Sequence, residues 1–445
     1  MPQLFKNLHL SNWRQYREVN IDFHERLTVI TGGNGAGKTT VLNLLSRHFG
    51  WQGTVVSTPR RSGGSLKFST DNWDDSDLKN YSEWLAAKEV AELGLSTSAG
   101  KIVPELAHQV NPNLRIGELT YGSGSVAELQ VPQNVGAQFQ VSINNQQNLR
   151  GMHVPSHRPI FSHQSVENIP TIPRRRDQAY QTYLDIVRAR YYGGHHNRTP
   201  NYYMKETLIA WAAFGYGNSV IDRDSESLEM FEGFQKVLAT VLPPSLGFKR
   251  IAIRLPEVVL ITRSGDFSLD AVSGGISSLI DLVWQVFMYA GADENFAVTI
   301  DEPENHLHPE LQRTVLGTLL TAFPHIQFIC ATHNPFIVTS VPDSSVYALR
   351  YGQDHKVISE LLDSADRTGS SNEVLRDILG MPSSSPTWVE EKLRQIQSEL
   401  AIREVTPALI EELQERLAKY GLQRYVPTAL AQIVKDQLSN AQVEP

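Results

Sequence analysis

The sequence predicts an α/β fold: a head with a parallel sheet, interrupted by an inserted strand-plus-helix lobe and followed by a helical C-terminal tail. Three observations carry this prediction. Near the N-terminus, the apolar strand "RLTVI" runs through a glycine-rich loop directly into a helix. From residue 251 to about residue 350, strands and helices alternate again, which is typical of a parallel sheet. Beyond Ser371, the apolar residues recur at helical spacing.

These patterns divide the chain into four parts. Residues 1–50 are predicted to form the N-terminal part of the head, and residues 251–350 its C-terminal part. Residues 51–250 form the inserted lobe, which is β-rich first and helical later. Residues 351–445 form the mostly helical tail. A chain of 445 residues has room for several units, because single hydrophobic cores stop growing at roughly 250–300 residues.

The spacing of apolar residues predicts the individual elements. Two strands precede the glycine-rich loop and lie around the polar turn "SNWRQYRE". The helical faces of the lobe hold Tyr180, Tyr183, Leu184, Val187 and Tyr191, and then Leu228, Phe231, Phe234 and Leu238. After the lobe, "EVVLITRSGDFSL" predicts a hairpin that turns at residues 264–266. In the tail, Thr406 and Pro407 begin a helix that Gly421 ends.

The composition argues against several classes of protein. The formal net charge of −8 at pH 7 argues against a uniformly basic nucleic-acid binder. The single cysteine, Cys330, cannot form an internal disulfide, so a reducing intracellular setting is expected. No secretory signal is visible, and the longest apolar-rich run, residues 279–292, is too short to span a bilayer. We therefore expect a soluble, cytoplasmic protein with no membrane partner.

The glycine-rich loop has the pattern of a phosphate-binding loop. "GGNGAGKT", from Gly32 to Thr39, satisfies G-x-x-x-x-G-K-[ST] in the strand-to-helix context that this motif requires. Backbone N–H groups would wrap the phosphates, Lys38 would reach the β- and γ-phosphates, and Thr39 would offer its hydroxyl to Mg²⁺. A chance glycine turn is the alternative, and the flanking elements argue against it. The predicted nucleotide contacts are Gly32, Asn34, Gly35, Ala36, Gly37, Lys38, Thr39 and Thr40.

Two later strands end in polar residues of catalytic type. "FAVTIDE" delivers Asp301 and Glu302 to the carboxyl edge of the predicted sheet. Beside a phosphate loop, Asp301 would hold Mg²⁺ and Glu302 would polarise the attacking water. "FICATHNPF" places His333 at the end of the next strand, near the γ-phosphate. Taken singly, each could be an ordinary polar strand end.

The segment "VSGGISSLIDLVWQVFMYA" predicts an amphipathic helix with a short polar start. Its apolar residues follow helical spacing, so Ser273, Gly274 and Gly275 lie at the N-terminus, where free N–H groups and partial positive charge collect. On its own, this start is best explained as a serine cap.

The order of these motifs resembles an ABC-type ATPase head. The Asp-Glu pair begins 28 residues after Ser273, and His333 follows 32 residues after Asp301. The resemblance implies ATP and Mg²⁺ as ligands, Glu302 as catalytic base and His333 as switch histidine. It also implies that Ser273, Gly274 and Gly275 close over ATP held by another subunit, so the protein would be a homo-oligomer, at least a dimer of heads. The Leu-Ser-Gly-Gly-Gln run of transporter ATPases is absent.

A closer resemblance is to the RecF/OLD-like branch of small ABC-type ATPases. It rests on "NLHLSNWRQYREVNIDF", "DEPENHLHPELQ" and "ATHNPFIV", which lie in about a third of the chain. The expected fused Toprim nuclease is missing after the histidine, which implies a separate partner. Stand-alone ATPases of this kind resemble the subunits of two-gene anti-phage systems, PARIS or Septu, whose effectors are Toprim- or HNH-type nucleases. We favour the PARIS-like interpretation and leave the Septu-like one open.

The resemblance implies an ATP-dependent switch that controls a nuclease in anti-phage defence, with a phage-encoded trigger. Two other functions stay open: a DNA-repair or recombination ATPase acting directly on DNA, and a nucleotide-locked scaffold without turnover. Gln164, in "PSHRPIFSHQ", is a further candidate for the Mg²⁺ shell, with a plain surface turn as the alternative. Residues 174–176, with Arg188 and Arg190, could meet nucleic-acid phosphates, although a solvated helix start explains them better.

Two histidine-bearing stretches are not expected to bind a metal. His195 and His196 have no cysteine or carboxylate at metal-ligand spacing, so zinc binding is not expected. In "EPENHLHP", the resemblance implies that Glu304, His306 and His308 lie on a subunit-facing loop. His306 and His308 are then candidates for sensing the other head, with ordinary loop packing as the alternative.

Overall fold

A computed structural model describes most of the chain. The described residues are 3–62, 65–70, 113–132, 135–158, 161–172, 175–194, 196–290, 295–363, 387–400 and 405–441. Backbone contacts divide the chain into two compact units, Met1–Ser371 and Asn372–Pro445.

The first half of unit one is mainly β-structure, and most of its strands join the large sheet of this unit. In chain order, its elements are β1 (Phe5–Trp13), β2 (Tyr16–Asp22), β3 (Leu27–Gly32), α1 (Lys38–Ser46), β4 (Val55–Val56), β5 (Thr58–Ser62), β6 (Ser65–Ser69), β7 (Asn113–Tyr121), β8 (Val126–Pro132), β9 (Gln138–Phe139), β10 (Ser142–Asn144) and β11 (Gly151–Val154).

The second half of unit one alternates helices and strands. Its elements are α2 (Arg176–Tyr191), α3 (Pro200–Tyr216), α4 (Ser225–Val241), β12 (Phe248–Arg254), β13 (Glu257–Thr262), β14 (Asp266–Ser268), α5 (Gly274–Tyr289), β15 (Phe296–Asp301), α6 (Pro309–Gln312), α7 (Val315–Ala322), β16 (Ile326–Ala331), α8 (Pro335–Val338), β17 (Ser345–Tyr351) and β18 (Val357–Leu361).

An eleven-stranded sheet organises this unit, in the order β10-β8-β7-β1-β2-β18-β17-β3-β16-β15-β11. The strands β17, β3, β16, β15 and β11 run parallel, whereas β1, β2, β7, β8 and β10 pair antiparallel. The central strands β3, β15 and β16 are buried along their whole length. Their carboxyl ends lie at one edge, because Asp301 pairs with Ala331 and Ala331 with Ile30.

The N-terminal hairpin differs from its prediction. The predicted polar turn spans eight residues, but both strands continue into it and leave only Arg14 and Gln15 between them. The reason is that Trp13 and Tyr16 are fully buried, with ring centroids 6.1 Å apart. Aromatic burial therefore overrides the polar character of the neighbouring residues.

Strands from the predicted inserted lobe extend the same sheet as the head, since β7 pairs with β1 and β11 with β15. The boundaries predicted at residues 50 and 250 stay a prediction.

The hairpin formed by β13 and β14 turns where the sequence predicts it. Of the aromatic face predicted for α2, Tyr191 is the exception, because 43% of it is exposed while the other members are buried.

Helix α5 is the centre of the helical layer. It is buried from Ser277 to Met288 and packs against α2 and α4. The Trp284 ring lies 4.8 Å from that of Phe234 and 5.8 Å from that of Trp211, measured between centroids. This packing fixes the helix whose N-terminus carries Ser273.

Unit two contains three described helices: α9 (Thr387–Leu400), α10 (Pro407–Ala418) and α11 (Val426–Ala441). Thr406 caps α10 by accepting a hydrogen bond from the Leu409 amide, as predicted. Gly421 has a left-handed backbone with φ of 70° just beyond the helix end. In the described part of both units, each helix is too short or too polar to cross a membrane.

Candidate nucleotide-binding site

The phosphate loop connects β3 to α1 and is held from the side by β2. Gly37 has φ of 98°, which favours glycine, and a Cβ atom there would collide with the Tyr16 hydroxyl. That hydroxyl donates to the Gly37 carbonyl over 2.7 Å. The loop is therefore fixed by glycine conformations and by a close approach that admits no side chain.

Lys38 is the first residue of α1, and its amine points back over the loop. Its Nζ donates to the Gly32 carbonyl at 2.9 Å and to the Gly33 carbonyl at 3.0 Å. Burial lowers the pKa of Lys38, while the charges of Asp301 and Glu302 act in the opposite direction. Phosphate oxygens would replace these carbonyls as acceptors, because a hydrogen bond from an ammonium group to a phosphate is the stronger one.

Thr39 and Asp301 meet at the sheet edge. The Thr39 hydroxyl donates to Asp301 Oδ2 over 3.0 Å. Burial raises the pKa of Asp301, and the Thr39 hydrogen bond opposes that rise. A hydroxyl beside a carboxylate is an oxygen donor set of the type that Mg²⁺ prefers. The residues present therefore fit the predicted metal.

Glu302 is oriented by two neighbours. His333 Nδ1 lies 3.1 Å from one carboxylate oxygen, and Asn305 Nδ2 donates to the other over 2.9 Å. Glu302 also has an unusual left-handed backbone, with φ of 50°. Such a conformation costs a non-glycine residue about 1–2 kcal/mol, so the surrounding structure must hold it in place.

A polar cavity of about 470 Å³ joins these groups, and its lining residues are Arg14, Gln15, Asn34, Gly35, Gly37, Lys38, Thr39, Thr40, Asp301 and Glu302. Arg14 and Gln15 were not foreseen from the sequence. They form the whole turn between β1 and β2, and Arg14 has φ of 54°. A two-residue turn would have pointed to Arg14 and Gln15, but the polar run "SNWRQYRE" predicts a longer turn.

Two predicted site residues lie elsewhere. The Gln164 amide oxygen accepts hydrogen bonds from the Thr199 amide and hydroxyl, and the Gln164 Nε2 donates to the Asn197 carbonyl. These hydrogen bonds hold Gln164 against residues 197–199, and it does not line the phosphate-loop cavity. The position of a residue in the sequence does not determine where a loop side chain points. Glu304 is 4% exposed and accepts a hydrogen bond from Thr332, so its side chain is internal rather than subunit-facing.

Ser273, Gly274 and Gly275 lie at the start of α5, as predicted. The Ser273 side chain makes no capping hydrogen bond, which removes the simple explanation of this serine. Ser273 and Gly274 are exposed, and none of the three residues lines the phosphate-loop cavity of the same chain. Gly275 packs against the His306 carbonyl, at 2.9 Å from where a Cβ would lie.

The remaining candidates have mixed surroundings. His306 and His308 are exposed, and His308 caps α6 by accepting from the Glu310 amide. Arg176 donates to the Phe287 carbonyl, and Arg188 donates to the Phe49 carbonyl over 2.6 Å, so both have internal partners. Positions 174 and 195, an arginine and a histidine, lie outside the described residues.

A phosphate loop follows a central parallel strand, an Asp-Glu pair lies at the end of the strand two positions away, and a histidine lies just beyond the strand between them; this arrangement defines a P-loop ATPase with an ABC-type head. The chain belongs to the AAA-domain family described as "AAA domain, putative AbiEii toxin, Type IV TA system", whose profile matches residues 27–339. A profile described as "P-loop containing region of AAA domain" matches residues 5–47.

Individual relatives have low sequence identity to this chain. "Septu protein PtuA" of Bacillus mycoides (strain KBAB4) is 24% identical over 204 residues, covering 45% of this chain and 26% of that relative. "Retron Ec83 probable ATPase" of Escherichia coli is 20% identical over 447 residues, covering 89% of this chain and 80% of that protein. The chain thus spans about a quarter of the length of the Septu relative.

Among solved structures, the chain is similar to the "SMC head domain from Thermotoga maritima". The identity is 12% and the TM-score 0.39, with 81% of this chain and 99% of that chain covered. The assignment of the fold rests instead on the sheet order, the site geometry and the family match.

Proposed function

We propose that this ATPase works as a switch in which two heads close over two ATP molecules and thereby control a separate effector. One observation carries the proposal. Lys38, Thr39, Asp301 and Glu302 share a cavity, whereas the exposed Ser273 at the start of α5 does not reach it. Each head therefore presents two half-sites, and a second copy of the chain supplies the complement.

Each half-site has a defined chemical role. Thr39 and Asp301 would hold Mg²⁺, which would neutralise charge on the nucleotide phosphates. Lys38 binds the same phosphates. Glu302 accepts the proton of the attacking water, whose oxygen bonds to the γ-phosphorus as the bond to the β-phosphate oxygen breaks. His333, whose Nδ1 lies 3.1 Å from Glu302, orients that carboxylate and would contact the γ-phosphate.

The start of α5 suits the opposite face of the same nucleotide. Its first N–H groups and partial positive charge favour phosphate oxygens, and α5 is long enough, at 16 residues, to carry that charge. ATP would thus join the heads, and hydrolysis would remove the γ-phosphate and let them separate.

The biological part of the proposal is control of a nuclease in anti-phage defence. The relatives include a Septu protein and a retron ATPase, which favours the Septu-like interpretation over the PARIS-like one. The partner would then be an HNH-type nuclease rather than a Toprim nuclease, released or activated by a phage-encoded trigger. Direct action on DNA remains the alternative.

Two variants test the ATP switch. Lys38→Ala should weaken ATP affinity at least ~100-fold, because a charge-assisted phosphate contact is lost. Glu302→Gln should bind ATP normally, hydrolyse it at least ~100-fold more slowly and accumulate as an ATP-bound oligomer in light scattering. Lys249→Ala, on the exposed surface of β12, is the matched control. Normal turnover by Glu302→Gln would contradict the assignment of the base.

A further inference from the structure

Arg158 is a buried arginine that none of the proposed chemistry uses. It lies just after β11, in "PSHRP", and only 5% of it is exposed. Burial lowers the pKa of the Arg158 guanidinium, while the nearby carboxylates of Asp281, Glu304, Glu302 and Asp301 raise it. A charged group is retained in a buried position only when specific partners compensate for the loss of water.

The partners of Arg158 are the backbone of the turn that follows β15. Its Nη2 donates to the carbonyls of Glu302 and Pro303, each at 3.1 Å, and to that of Asn305 at 3.2 Å. One guanidinium nitrogen therefore faces three carbonyls of this turn, those of Glu302, Pro303 and Asn305. The planar guanidinium leaves its Nε free to donate elsewhere at the same time, which a single lysine amine in this place cannot fully reproduce.

The same arginine also reaches the helix that begins with the signature residues. Arg158 Nε donates to the Ser278 hydroxyl over 3.0 Å, and that hydroxyl donates to the Asn305 carbonyl over 3.0 Å. Arg158 and Ser278 thus share one backbone oxygen. The turn after Glu302 and the first turns of α5 are joined by these bonds within one head.

The turn has reason to need such support. Glu302 and His306 both have left-handed backbones, with φ of 50° and 67°. Glycine, which adopts this conformation easily, is absent from both positions, so the strain must be offset by tertiary contacts. Arg158 supplies contacts at one of these residues and at Asn305, whose side chain orients the Glu302 carboxylate.

We propose that Arg158 is a positioning residue for ATP hydrolysis, which holds Glu302 in its left-handed conformation and ties it to the signature end of α5. The inference rests on the proposed function of Glu302 and Ser273. Because Glu302 serves the ATP of its own head and Ser273 the ATP of the other, Arg158 links the two ATP sites. Closure at one site is transmitted to the base at the other.

The test compares substitutions of two arginines that both contact α5: Arg158, which is buried, and Arg176, which is half-buried. Arg158→Met should lower kcat about 30-fold with the ATP dissociation constant within about 3-fold of wild type, since misplacing a catalytic group by 1 Å costs up to ~100-fold. Arg158→Lys should restore part of kcat. Arg176→Met is the matched control, because Arg176 bonds to the Phe287 carbonyl at the far end of α5 and should leave kcat within about 3-fold.

A second readout separates positioning from folding. If Arg158→Met does not fold, Ser278→Ala removes one of the two bonds to the Asn305 carbonyl and should lower kcat by about 5-fold at unchanged ATP affinity. A folded Arg158→Met with wild-type kcat, an unaltered Ser278→Ala, or equal losses of ATP affinity and kcat would overturn the inference. If the wild-type protein itself did not hydrolyse ATP, the proposed function would fail instead.

Discussion

The phosphate loop and the turn after Glu302 lie at the same edge of the sheet but are held in different ways. In the loop, Gly35 and Gly37 adopt left-handed conformations that glycine reaches without strain. In the turn, Glu302 and His306 adopt similar conformations with full side chains. The loop thus depends on its own glycines and on the adjoining Tyr16 of β2, whereas the turn depends on Arg158, Asn305 and α5.

This difference has a functional reading. A loop that is fixed locally can bind nucleotide in an isolated head. A turn that is fixed by distant partners can respond to them, so the catalytic carboxylate is sensitive to the state of the signature helix. Substitutions in the loop should therefore affect binding, and substitutions around the turn should affect turnover.

The largest expected effect lies in the loop. Gly37→Ala places a Cβ against the Tyr16 hydroxyl and forces an unfavourable φ, so the loop must move. We expect ATP affinity to fall at least ~100-fold, measured by equilibrium binding of a fluorescent ATP analogue. Gly53→Ala is the control, because a Cβ there meets nothing within 4 Å. Retained ATP affinity in Gly37→Ala would show that the loop is not fixed in this way.

The next effect lies in the turn. Asn305→Ala removes the hydrogen bond to Glu302 Oε2 and the one to the Ser156 carbonyl. We expect kcat to fall about 10-fold in steady-state assays, with ATP affinity unchanged, because the carboxylate loses an orienting partner. Asn144→Ala, on an exposed strand, is the control. A loss of ATP affinity with kcat unchanged would contradict the distinction between the two regions.

The smallest expected effect is on thermal stability, through Asp281 in α5. Burial raises the pKa of Asp281 to about 7, and the charge of Arg158 opposes that rise. A carboxyl whose folded pKa lies above its unfolded value favours the folded state at low pH, and this contribution is lost as pH rises towards 7. Asp281→Asn removes this pH-dependent penalty together with one acceptor for Tyr183 or Gln285, so its Tm relative to wild type should be a few degrees higher at pH 8 than at pH 5.5. An equal Tm shift at both values would count against the raised pKa.

The sequence was sufficient for the features that depend on neighbouring residues. Lys38 and Thr39 follow from a motif, and Asp301 follows from an apolar strand that ends in a carboxylate. Both depend on local order along the chain. Ser273 could be placed at a helix start for the same reason, although the lack of a capping bond could be known only from the structure.

The features that depend on distant contacts could not be predicted. The partners of Arg158 lie 120 to 147 residues further along the chain, so no local pattern identifies them. Gln164 was placed at the metal by its position in the sequence, whereas hydrogen bonds to Thr199 turn it away. The family resemblance implies a subunit-facing loop for Glu304, but its side chain is buried and accepts a hydrogen bond from Thr332.

The most direct test of the two-head site mixes two inactive variants. Lys38→Ala damages the phosphate loop, and Ser273→Arg blocks the signature end of α5. In a mixed dimer, one composite site pairs the intact loop of one head with the intact signature of the other. An equal mixture should then recover ATPase activity to at most about a quarter of wild type, because half of the dimers are mixed and each holds one good site, whose turnover still depends on coupling to the damaged site. No recovery, while the mixture still forms dimers, would contradict a site shared between heads.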